Sequence, residues 1–159
     1  MPLWQIYHPP NTFQDAASKS SLAKAITANY TKIGMPAFFV VVNYIETEEQ
    51  NMFVGGELAH TRGSPFIRLV ITHIHVNMPN EDSAYAGVTT RIDELLKPHI
   101  ADKGYDWEYH VDETERRLWK LNGIYAPPFK SEDEKVWVKE NRAVPPEEME
   151  AARQKMEST

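Results

Sequence analysis

PFIRLVITHIHV, residues 65–76, is a proline followed by a run of β-branched and aromatic residues, and the chain opens in the same way with PLWQIY at residues 2–7. Residues 66–76 read as a strand on composition. In the opening segment Leu3, Gln5 and Tyr7 alternate with Trp4 and Ile6, the period of a half-buried strand, until Pro9 and Pro10 break it. Each strand leads into a segment of helical period. After the first, Thr12 and Asp15 have the spacing of a capping box, and Leu22, Ala23, Ile26, Tyr30 and Ile33 form one apolar stripe before Gly34 and Pro36. After the second, a helix is predicted over 81–97, with Tyr85, Val88, Ile92, Leu95 and Leu96 on one side and Pro98 at its end.

Both helical segments are followed by a further strand. FFVVVNYIE (38–46) begins with a continuous apolar run at 38–42, which predicts burial on both faces, as in a parallel pairing covered by helices. YDWEYHV (105–111) is the fourth strand. The chain therefore repeats a β-α-β unit, 2–46 and 65–111, and each crossover is expected to be right-handed. Between the units, NMFVGGE (51–57) reads as a small hairpin turning at Gly55 and Gly56. Beyond Val111 the periodicity stops. Ser131 and Glu134 resemble another capping box, for a helix running through Val136 and Val138. One domain over 1–142 and a charged tail over 143–159 is the expected organisation, the tail either a surface helix or packed on a neighbouring subunit.

Composition narrows the function. With 42% hydrophobic and 25% charged residues in 159, the chain suits one compact domain. It has no cysteine, so disulfides, thiolate catalysis and cysteine-ligated metals are excluded. A net charge of -6 argues against a nucleic-acid partner. No stretch approaches the roughly 20 apolar residues of a membrane span. A soluble, cytoplasmic protein acting on a small molecule is expected.

Several short segments, taken in order, resemble the tautomerase superfamily: the proline after Met1, AKAIT (23–27), VNY (42–44), NMFVGG (51–56) and the doubled β-α-β pattern. The resemblance is to the branch containing cis-3-chloroacrylic acid dehalogenase. IYHPP (6–10), WKLNG (119–123) and KENR (139–142) are similar to fungal oxalocrotonate tautomerase-like proteins. The resemblance implies an α/β (α+β) fold: duplicated β-α-β units in a four-stranded mixed sheet, two helices on one face, and here a C-terminal helical extension. It also implies a homotrimer, no cofactor, and a pocket floored by the N-terminal proline.

Removal of Met1 would leave Pro2 as a secondary amine. An apolar pocket disfavours its charged form, so free base is available near neutral pH to move a proton between carbon and a carbonyl-conjugated position. Leu3, Trp4, Phe39 and Trp107 are candidates to line that pocket. By the resemblance, Tyr30 stands where the dehalogenase branch has a catalytic histidine, and Tyr109 matches a tyrosine that orients substrate or water. Tyr30 also fits as plain core, extending the stripe from Leu22 and Ile26. The paired arginines of the dehalogenases align with Asn77 and Asn80, and no Lys or Arg occurs over 69–90. Substrate binding is then assigned to His75, Asn77 and an arginine from elsewhere, Arg117 with Arg68 and Arg116 as alternatives, supplied within the chain or across the trimer interface. The family's water-activating glutamate aligns near Lys120 or Leu121, which leans toward tautomerisation over dehalogenation or hydration.

Two rival readings stay open. In one, the chain keeps the fold as a non-catalytic trimeric binding or assembly module. Alternatively His73 and His75, two apart on a strand, form a metal pair, although no third ligand stands at a matching spacing and no metal site is assigned.

Overall fold

The computed structural model describes residues 1–158. Strand β1 (Pro2–His8) leads to helix α1 (Ala16–Thr31) and strand β2 (Val41–Glu46). A hairpin of β3 (Phe53–Val54) and β4 (Glu57–Leu58) precedes β5 (Phe66–Ile74), α2 (Asp82–Leu96) and β6 (Asp106–Thr114). The chain ends with a hairpin of β7 (Lys120–Leu121) and β8 (Ile124–Tyr125), then helices α3 (Glu132–Glu140) and α4 (Met149–Glu157). The main sheet has four strands in the order β2-β1-β5-β6. It is mixed: β1 runs parallel to β2, β5 parallel to β6, and the two units meet antiparallel along β1 and β5.

Alternation decides which way each strand faces. Trp4 and Ile6 of β1, with Ile67, Leu69 and Ile71 of β5, are fully buried, while Leu3, Gln5 and Tyr7 lie half-buried on the other face. Leu22 and Ile26 of α1 and Ile92 and Leu96 of α2 complete one core with those strands, so both helices cover the same face. At roughly 1.5–3 kcal/mol for each large side chain removed from water, this layer is the main source of stability.

The first strand-helix unit departs from expectation in two places. Asp15, not Thr12, caps α1, its carboxylate accepting from the Ser18 N–H at 2.7 Å. The Thr12 hydroxyl instead donates to the Pro9 carbonyl at 2.8 Å and sits 3.1 Å from the His8 ring. Secondly, 37–39 form a 3-10 turn and β2 starts at Val41, at the edge of the sheet and only half-buried. The expected burial on both faces fails because the helices cover one face only.

The C-terminal part forms a second layer. Ser131 caps α3, accepting from the Glu134 N–H at 3.2 Å. Phe39, Trp119, Ala126, Val136, Trp137 and Val144 make a second buried cluster, against which Met149, Ala152 and Met156 of α4 pack. The charged stretch after 142 therefore folds back on its own chain. Among the described residues no helix is long and apolar enough to cross a membrane.

Candidate functional site

The antiparallel register sets Pro2 directly opposite His73. One step further, Met1 and Ile74 exchange backbone hydrogen bonds: the Ile74 N–H donates to the Met1 carbonyl at 2.9 Å, and the Met1 amine donates to the Ile74 carbonyl. Pro2 and His73 are therefore a non-hydrogen-bonded pair, the closer kind, with side chains on the same face. That face is the helix-covered one, so Pro2 is buried at the end of β1 while His73 reaches the last turn of α1.

Tyr30 receives it there. Its hydroxyl accepts from the Trp4 indole N–H at 3.0 Å and lies 2.8 Å from Nε2 of His73. With the imidazole proton on Nδ1, Tyr30 donates to Nε2. With the proton on Nε2, Tyr30 accepts from both rings and its own O–H is available to a ligand. Burial pushes the Tyr30 hydroxyl up to about 12 and holds His73 down at about 4, the latter helped by the N-terminal amine and Arg91. Both groups are neutral across the physiological range. The Met1 amine is itself lowered to about 4 by burial, with Glu134 opposing the shift.

Pro2, Tyr30, His73 and Ile74 line a cavity of about 350 Å³. Its walls are apolar, formed by Ile33, Met35, Val76, Val88 and Ile92, and two cations border it: Lys32 at the end of α1 and Arg91 on α2. An apolar cavity with a few convergent polar groups is the common form of a small-molecule site.

The sequence candidates divide. Pro2 and Tyr30 come together in this cavity. Tyr109 does not line it: its side chain stacks on Trp107, and its hydroxyl donates to Asp93 Oδ1 at 2.9 Å and to the Thr89 carbonyl at 3.2 Å. Burial and the Asp93 carboxylate push that phenol up.

His75 is corrected more sharply. Its backbone has φ 123°, which ends β5 and turns its ring into the second cluster, where it is buried against Glu134 and away from the cavity. The same reversal separates His73 from His75, so they share no ligand face. Among the described residues no group of three or more metal-ligating side chains is assembled. Asn77 is exposed in the loop after β5 and outside the cavity lining, although its neighbours Val76 and Met78 contribute. Arg117 is exposed as well and bonded to Glu115 at 3.0 Å.

Of the proposed lining residues, Trp4 supports Tyr30 from behind, Leu3 points to the opposite face, and Phe39 and Trp107 pack elsewhere. The cavity cations were missed. Arg91 stands directly after the stretch 69–90 that holds no Lys or Arg, between Val88 and Ile92 of the α2 stripe. A cation placed inside an apolar stripe is the signal that could have found it.

A family model described as "Putative oxalocrotonate tautomerase enzyme" matches residues 1–142. The chain belongs to this tautomerase family. The tautomerase-family chain is also similar to a probable enzyme from the thermophilic fungus Aspergillus fumigatus, at 44% identity over 91% of this chain and 97% of that one, TM-score 0.80. It is similar to RhCC from Rhodococcus jostii RHA1 at 38% identity over 90% of this chain and 99% of that one, TM-score 0.83. N1, a member of the cis-3-chloroacrylic acid dehalogenase family, shares the fold at 14% identity over 96% and 99% of the chains, TM-score 0.65. Among curated proteins none matches the chain.

Proposed function

We propose that this tautomerase-family chain is a tautomerase in which Pro2, freed by removal of Met1, moves a proton on a small keto or unsaturated carboxylic acid. The observation that carries the reading is the position of Pro2, buried at the floor of an apolar cavity, opposite His73 and beside Tyr30. Burial disfavours an ammonium there, as the depressed Met1 amine illustrates one residue away. Free base is then present at neutral pH to take a proton from carbon next to a carbonyl and return it further along the conjugated system.

The remaining groups supply binding and charge stabilisation. Loss of Met1 frees the Ile74 N–H, a backbone donor beside Pro2. Arg91 and Lys32 offer charge-assisted hydrogen bonds to a carboxylate. Tyr30, held between Trp4 and His73, can steady an enolate oxygen by donation. No acidic side chain lines this cavity, so a water-activating carboxylate has no support and isomerisation is favoured over dehalogenation.

A homotrimer is part of the proposal. The half-buried face of the sheet, with Leu3, Gln5 and Tyr7, is the surface that self-association would cover. Tyr109 lines a separate open cleft with Met78 and Val88, both of which also border the Pro2 cavity. A second reading, a non-catalytic fold relative, is favoured by one feature: Met1 extends β1 by pairing with Ile74, and a chain that keeps it has no basic nitrogen at Pro2.

Purified protein offered phenylpyruvate and cis-3-chloroacrylate is expected to accelerate keto–enol exchange of the first and to release no halide from the second. Halide release without enolisation would favour the lyase reading, and neither activity the non-catalytic one.

A further inference from the structure

The cavity chemistry leaves one costly feature without a role. Nε2 of His75 lies 2.6 Å from Oε1 of Glu134, and the two side chains are 0% and 1% exposed. Taking an imidazole and a carboxylate out of water is expensive, and an apolar pair of similar volume is often at least as stable. Yet the pair is held firmly. The second oxygen of Glu134 accepts from the Lys130 N–H, and the His75 ring is walled by Phe39, Phe129 and Trp119 at centroid distances of 5.5, 5.8 and 5.8 Å. Nδ1 of His75 is buried with no hydrogen-bond partner. The backbone at His75, at φ 123°, is strained for a residue with a side chain.

That strain falls at a particular place. It comes directly after Ile74, whose N–H and C=O both pair with the residue preceding Pro2. Met1 also packs against the second cluster, which contains the α3 residues Val136 and Trp137 close to Glu134 in sequence. His75 thus stands one residue past the β5 residue that pairs with Met1.

We infer that the His75–Glu134 pair is a positioning element for the N-terminal amine: it fixes the end of β5 against which the Pro2 nitrogen rests and sets a buried carboxylate near that nitrogen. This rests on the reading of Pro2 as a free amine. The titratable groups around the amine are His73 on β5, Tyr30 on α1 with Lys32 just past its end, Arg91 on α2 and Glu134 on α3, with His75 behind Glu134. Glu134 is the acid in that set. At the Met1 amine, one residue before Pro2, it favours the protonated form against burial.

The test labels proline with 15N and follows the Pro2 nitrogen by NMR across pH in the native protein and in Glu134→Gln. The midpoint is expected to fall by about one pH unit in the variant, with the acid limb of kcat/KM moving by the same amount and KM little changed. A Pro2 nitrogen that does not titrate in the native protein would defeat the free-amine reading itself. A nitrogen that titrates with the same midpoint in both proteins would overturn the role of the pair and leave Pro2 as the base. Glu134→Asp, measured alongside, withdraws the charge by one methylene and is expected to lower the midpoint by less; it decides the question should Glu134→Gln not fold, and an unchanged midpoint there overturns the inference.

Discussion

The sheet-helix core and the C-terminal cluster are both fully buried, but they are assembled by different rules. In the first, Trp4, Ile6, Leu69, Ile26 and Ile92 each occupy a place set by strand alternation or a helical stripe. In the second, Phe39 comes from a 3-10 turn, Trp119 and Ala126 from around a two-residue hairpin, Trp137 from α3 and Val144 from the loop beyond it. Periodic burial builds a frame and brings Pro2 opposite His73. Aperiodic burial closes the end of that frame over the chain start, and it holds the buried His75–Glu134 pair.

Perturbations of the two regions should therefore separate. The largest effect is expected within the frame's cavity: Pro2→Ala should lower kcat/KM for keto–enol exchange by about 10²–10⁴-fold with folding unchanged by circular dichroism. Equal rates would remove the cavity from the chemistry. Next comes the C-terminal cluster, where Trp137→Ala should cost about 3–5 kcal/mol in urea denaturation. Trp137 is 1% exposed and its indole N–H donates to the Val144 carbonyl at 3.2 Å. A loss near zero would show that this layer adds nothing to the fold.

The third effect is a pH dependence of stability. His73 stays neutral in the fold down to about 4, against an ordinary value of 6.5. Between those values the unfolded chain binds the extra proton, so stability should fall as pH drops through this window and be unaffected by this group above it. The full effect is on the order of 3 kcal/mol. His8, also held down by burial, adds to the same slope. His73→Gln should flatten the slope in denaturation series between these pH values without abolishing it; an unchanged slope would mean His73 is not buried neutral. The smallest effect is at the cavity rim, where Arg91→Ala should raise KM for a keto acid by about tenfold and change kcat less. A fall in kcat with KM constant would place Arg91 in the chemistry instead of in binding.

The frame was legible because its signals are local. Gly34 and Pro36 close α1, Pro98 follows α2, and the proline-led strands at Pro2 and Pro65 mark the repeat. Pro2 and Tyr30 were candidates through the family resemblance; in the fold Pro2 opens β1, Tyr30 continues the α1 stripe, and both line one cavity. What was not legible depends on contacts between distant segments. The left-handed backbone at His75 leaves no mark in THIHV, so two histidines expected on one face separate, one to Tyr30 and the other to Glu134. Glu134 looked like half of a capping box, and Ser131 does cap α3, but the carboxylate turns to His75 and Lys130. Tyr109 was matched to a substrate-orienting tyrosine, and in the fold its hydroxyl is taken by Asp93 of α2. Lys32 and Arg91 flank their helical stripes, and only the assembled fold shows that both border the same cavity.

All of the proposed chemistry requires that the nitrogen of Pro2 carry a lone pair. The intact mass of protein purified from its own host tests this most directly. A mass lacking one methionine residue, with no acyl group on the new terminus, is the expected result. A mass that retains Met1, or a blocked Pro2, would contradict it.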